Sequence, residues 1–191
     1  MPRRTRFLGS LLMTAGMAAA AFLGTPFVTG SSGTAWAADA PKLLGKFDDW
    51  EAYSYGTGKS LICYAQSLPK TQLPSSVVRG NVYFMVTHRP GQNVRNEISM
   101  RAGYPYSAKS KPFATIGSEK YQMFTGVSEG GEQSNWAWLD KPSQETQMVK
   151  DLRAGSSMVI KGTSEKGTLT TDTYSLKGSG GALKKIDETC K

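Results

Sequence analysis

His88 is the single histidine of the chain, so a serine or cysteine triad would have to be built on it. The residues that follow, Arg89-Pro90-Gly91, read as the end of a strand entering a turn, where a histidine is ordinarily a surface residue. No Gly-x-Ser-x-Gly elbow accompanies it. A hydrolase would need His88 or Ser67 gathered with a carboxylate or base and a nucleophile in one concave site. Ser67-Leu68-Pro69-Lys70 has the Ser-x-x-Lys spacing of penicillin-recognising enzymes. Pro69, however, opposes the helix that would bring the lysine back to the serine. Gly56-Thr57-Gly58-Lys59-Ser60 ends like a phosphate-binding loop, but Tyr53 stands where the first glycine is needed and a strand-like run follows. The neighbours Asp48 and Asp49 point apart on a strand, so they make no glycosidase pair.

Cys63 and Cys190 are the only cysteines. With one histidine they fall short of a four-ligand zinc set, so no metal and no cofactor is expected. In an oxidising compartment an even pair reads as a disulfide, here closing nearly the whole domain.

The amino terminus points to that compartment. Arg3, Arg4 and Arg6 precede an uncharged apolar run from Phe7 to Gly24, and Ala35-Trp36-Ala37 is a small-x-small cleavage pattern. Residues 1–37 are therefore expected to be a cleaved signal peptide. The Arg3-Arg4 pair leaves Sec and twin-arginine export both open. Removal of this segment takes three arginines from a chain of 191 residues and net charge +8, leaving 154 residues and +5. The remaining cations, among them Lys59, Lys70, Arg79, Arg89, Arg95, Arg101, Lys109 and Lys111, are spread along the sequence. Nucleic-acid proteins cluster such charges among aromatics, so no nucleic-acid partner is expected.

These residues need elements to hold them. Apolar alternation and turn residues predict strands at 50–55, 60–66, 82–86, 96–102, 121–127, 135–139, 157–163 and 168–176. The continuous run at 82–86 reads as buried on both faces. A helix over 144–154 is expected, capped by Ser143 and ended by Gly155, and a second over 181–190 with Cys190 on its apolar face beside Leu183 and Ile186. About eight short strands with one or two short helices predict an all-β, antiparallel sandwich over residues 47–191. Residues 38–46 read as a flexible lead-in. Trp50, Tyr64, Phe84, Ile98, Trp138, Tyr174, Leu183 and Ile186 are the expected core.

Several segments together resemble the invasion-associated locus B family of exported alphaproteobacterial proteins. The most specific is the run from Gly167 to Gly178, with Thr173-Tyr174-Ser175-Leu176-Lys177-Gly178, followed by Ala182-Leu183, Ile186 and Cys190. Phe47-Asp48-Asp49-Trp50, Cys63-Tyr64-Ala65-Gln66-Ser67 and Gly155-Ser156-Ser157-Met158-Val159 match more weakly. Many members carry a cysteine soon after the opening tryptophan, where this chain has Tyr53 and Tyr55, and Ser179 replaces a frequent phenylalanine. The resemblance implies an immunoglobulin-like sandwich, an exported location and no catalytic residue. The combined expectation is a periplasmic or secreted, non-enzymatic envelope protein with a binding or structural role toward an envelope or host-surface protein. Two other readings stand beside it: a cell-wall or small-ligand hydrolase using His88, and a binder of anionic lipid or glycan with a contiguous Lys/Arg face.

Overall fold

Loop glycines and alternating side chains fold the chain into successive antiparallel hairpins. In the computed structural model, which describes residues 40–191, β1 (Lys42–Phe47) and β2 (Trp50–Tyr55) pair through a tight turn at Asp48, and β2 pairs with β3 (Ile62–Ser67). The chain continues through β4 (Thr71–Leu73), β5 (Tyr83–Arg89), β6 (Val94–Arg101), β7 (Phe113–Ile116), β8 (Glu119–Thr125), β9 (Trp136–Leu139), α1 (Glu145–Ala154), β10 (Ser157–Thr163), β11 (Leu169–Ser175) and α2 (Ser179–Thr189). The eleven strands form one hydrogen-bonded sheet in the order β1-β2-β3-β5-β6-β9-β8-β7-β10-β11-β4, antiparallel at every pairing.

That sheet folds back on itself. The Trp50 indole N–H donates to the Ser175 carbonyl (3.0 Å), and the Lys70 N–H donates to the Thr173 carbonyl (2.7 Å). These bonds join β2 and the β3–β4 connection to β11, so strands distant in sheet order enclose one core. The result is an all-β, antiparallel, sandwich-like fold with two short helices.

Phe84, Ile98, Met100, Met158, Ile160 and Tyr174 fill the interior. Ala182, Leu183 and Ile186 bury one face of α2 against β1, β2 and β3. That burial supplies the stability an eleven-residue helix lacks in isolation. Cys190 lies one turn beyond Ile186 and forms the disulfide with Cys63 that the cysteine count predicts (Cα–Cα 5.9 Å).

Several expectations are corrected. Residues 42–46, read as part of a flexible lead-in, lie in β1, whose irregular register between Leu43 and Gly45 hides the alternation. β4 and β7 carry no strand pattern in the sequence: the first is three exposed residues held by β11, and the second is a four-residue strand that begins directly after Pro112. β5 alternates rather than burying both faces, with Phe84 and Val86 inside and Tyr83 and Met85 outward. Ser143 does not cap α1; it sits in a 3-10 turn (Pro142–Gln144), and Gln144 is the capping position. Residues 1–37, expected to be a signal peptide, lie outside the described residues.

Gly178 shows why one turn is chemically restricted. It opens α2 in the left-handed region (φ +91°), and a Cβ there would lie 1.8 Å from the Phe47 carbonyl oxygen. Both the backbone angle and the close approach exclude a side chain. Gly178→Ala should destabilise the fold by about 2 kcal/mol, measured as a shift in the urea midpoint at constant m-value.

Candidate functional site

Strand parity places a set of aromatic rings on the outer face of one half of the sheet. Because Trp50 and Ala52 point inward on β2, Tyr53 and Tyr55 point outward; because Cys63 must reach α2, Tyr64 turns away from the core. On β9 the small Ala137 and the shorter Leu139 are buried, which leaves Trp136 and Trp138 outside. Tyr64 and Trp138, expected in the core, are therefore surface-face residues.

The rings touch one another across the strands. Tyr53 stacks on Tyr64 at 5.1 Å between centroids. Tyr83 meets Trp136 edge-on at 5.5 Å, Trp136 lies 6.1 Å from Trp138, and Trp138 stacks on Phe124 at 5.8 Å. Tyr55 is 38% exposed and Phe124 50%, so large apolar surface remains in water.

An open groove of about 510 Å³ runs over this face from β2 to β9. Tyr64, Met85, Thr87 and Ser99 come from its middle strands, and Trp138 stands directly opposite Ser99 in the β6–β9 register. Among the described residues, the charged side chains lining it are one arginine and one glutamate, bonded to each other. Arg89 Nη1 donates to Glu97 Oε1 at 2.9 Å, and Nη2 donates to Oε2. This fork-to-fork pair fixes both planes. Nearby, the Tyr53 hydroxyl donates to Glu51, which pushes Tyr53 up to about 12. Burial raises Tyr64 and Tyr83 as well, so these phenols stay neutral near pH 7.

His88 does not join this face and is not at an exposed turn. It is 1% exposed, opposite Cys63 in the β3–β5 register. The Asn96 N–H donates to Nδ1 (3.0 Å), which places the ring proton on Nε2, and Nε2 donates to Asp187 Oδ1 (2.8 Å). Asp187 also accepts from Arg153 Nη2 (2.8 Å). Both ring nitrogens are thus committed, and the neighbouring sulfur is held in the disulfide. The carboxylate that a hydrolase would need beside His88 is present, but the nucleophile is not. Ser67 is buried four residues from Cys63 along β3, roughly 13 Å away, and donates to the Asp49 carbonyl (2.9 Å). Lys70 pairs with Asp49 and not with Ser67. Gly58–Ser60 is a single 3-10 turn before β3.

A buried ion pair, without a signal in the sequence, joins the β4–β5 connection to β11. Asp172 occupies an inward position of β11, where burial raises its carboxyl despite the Arg79 guanidinium. Arg79 donates to both Asp172 oxygens and to the Ala102 carbonyl (Nε, 3.0 Å), and lies over the Tyr104 ring at 4.9 Å. Arg101 pairs with Glu132. Four of the cations that look scattered in sequence, Lys70, Arg79, Arg89 and Arg101, are thus each tied to a carboxylate.

Among the described residues no cluster of three metal-ligating side chains occurs, and no helix is long and apolar enough to cross a membrane. Set against known proteins, the chain matches no family model, no curated protein and no solved structure at a significant level.

Proposed function

We propose that this is an exported envelope protein, similar to the invasion-associated locus B proteins, that binds a partner without catalysing a reaction. The outer aromatic face is its contact surface. One observation carries the reading: tyrosine and tryptophan rings lie partly in water over a groove, at positions where burial was available on the other side of the strand. Large rings left in water cost hydrophobic free energy, and such patches mark interaction sites. Tyr and Trp also offer broad contact area at low conformational cost.

Export is supported by the pattern of residues 1–37 and by the disulfide, which persists where thiols are oxidised. The non-catalytic reading is supported by the full hydrogen bonding of His88 and by its separation from Ser67.

The test is site-specific photo-crosslinking in intact cells. A benzophenone amino acid in place of Trp138 inserts into C–H bonds of protein, lipid or glycan alike. Adducts should form from position 138 in the envelope fraction, and not from exposed Lys150 on α1. A cytoplasmic location, or equal labelling at both positions, would overturn the proposal.

A further inference from the structure

We infer that the groove across the outer face takes an uncharged oligosaccharide, with sugar rings against Trp136 and Trp138 and hydroxyls on the Arg89–Glu97 pair. The inference rests on the reading of this face as the contact surface, and adds the chemistry of what is bound.

The whole chain carries a surplus of cations, yet the groove is lined by one arginine and one glutamate in a bidentate pair. Arg101, beside the groove, is likewise paired with Glu132. Among the described residues lining it, an anionic ligand would find no unpaired cation, and a phosphate or uronate would have to break an existing ion pair to gain one. The groove is neutral on a basic protein, which complements a neutral ligand.

Aromatic faces are electron-rich and attract polarised C–H groups, such as those on the flat side of a pyranose ring. Around them stand the Tyr64 hydroxyl and the Gln133 amide, with Thr87 and Ser99 buried in the groove floor and Arg89 and Glu97 held to each other by two hydrogen bonds. Arg89 and Glu97 together offer donors and acceptors to neighbouring hydroxyls of a sugar, and their mutual bonds set the geometry before the ligand arrives. Such alternation of ring and polar group suits a ligand that is apolar on its faces and hydroxylated at its edges.

The groove crosses five neighbouring strands, from β2 to β9, or roughly 19 Å at ordinary strand spacing. That suits several sugar units in a row. The strands beneath are paired on both sides, so an extended peptide finds no open backbone edge to add to. Among the described residues, the aliphatic lining is Pro41, Ile62 and Met85, little for an acyl chain.

The experiment titrates the protein, as recovered from expressing cells, with cellohexaose, chitohexaose and maltohexaose. Hexagalacturonate and vesicles of phosphatidylcholine with phosphatidylglycerol are run alongside. Tryptophan fluorescence and calorimetry are the readouts. At least one neutral hexamer should bind saturably, with affinity unchanged between about 0.05 M and about 0.5 M salt. Trp138→Ala and Trp136→Ala should each weaken it about tenfold or more, and Trp138→Phe less. Melting curves within a few degrees of the parent show that the variants are folded.

Salt-sensitive binding of hexagalacturonate in preference to the neutral sugars overturns the charge argument, and binding to vesicles alone replaces the sugar by a lipid surface. If no neutral hexamer binds while Trp138 crosslinks in cells to a protein, the sugar is wrong and the contact surface stands. If neither occurs, both readings fall.

Discussion

Cys63→Ser should lower the thermal midpoint by about 10 °C, the largest effect of any single side-chain exchange expected here. The bridge spans 127 positions, so breaking it restores conformational freedom to nearly the whole unfolded domain. Loop-closure reasoning puts the loss at about 3–5 kcal/mol, with each kcal/mol worth about 2–4 °C in a domain of this size. Both cysteines are fully buried. The serine hydroxyl would therefore enter a dry site beside the orphaned Cys190 thiol, adding a polar penalty to the entropic one. What then holds the end of α2 is the hydrogen bond from His88 to Asp187 and the apolar face of Leu183 and Ile186. Calorimetric melts of parent and variant, with and without a phosphine reductant, give the check. Reductant should lower the parent most of the way to the variant's midpoint, the remainder being the serine's polar penalty, and leave the variant in place. A variant that melts with the parent would show that the bridge does not stabilise the domain.

The second large effect is expected at the buried ion pair. Arg79→Met leaves the Asp172 carboxylate without a counter-charge at 2% side-chain exposure. Removing one partner of such a pair costs about 3–5 kcal/mol, because the remaining charge keeps its desolvation penalty and loses its compensation. The double replacement Arg79→Met with Asp172→Leu should be less destabilising than the single one, and a double-mutant cycle measures that coupling.

The pH dependence has a definite sign. Burial raises Asp172 above its unfolded value of 3.8 even beside Arg79, and loss of Arg79 raises it further. A carboxyl raised in the folded state destabilises above its unfolded pKa, and the penalty grows as pH rises through the folded one. The deficit of Arg79→Met against the parent should thus be widest near neutral pH and shrink toward pH 4. Urea titrations across that range test it; a deficit independent of pH would mean that Asp172 is not the group left stranded.

Arg79 also shows what linear reading misses. It is one of several separated cations in sequence, and nothing near it indicates burial. Its role follows from the β4–β5 connection, which lays it over Tyr104 and against the inner face of β11. Asp172 sits among threonines whose β-propensity identifies the strand without revealing which side is inward. A charged inward residue becomes recognisable once its partner, 93 positions away, is known.

By itself the sequence determined the strand-rich class, most strand positions, the two helices and the pairing of the cysteines. Those features rest on local alternation, turn residues and a count of two. Trp50, Phe84, Ile98, Tyr174, Leu183 and Ile186 were legible as core for the same reason, since each sits at an apolar position of a periodic element and all are buried. Tertiary structure decided which side of each strand meets the core. A period of two leaves two equivalent faces until another element chooses one. α2 and its disulfide turn Cys63 inward, and with that choice Tyr64 goes outward. On β9, Ala137 fits the packed interior, so Trp136 and Trp138 go to the solvent side. The aromatic groove is the sum of such choices over five strands separated in sequence, and it arises only when the sheet brings β2 and β9 to its two sides.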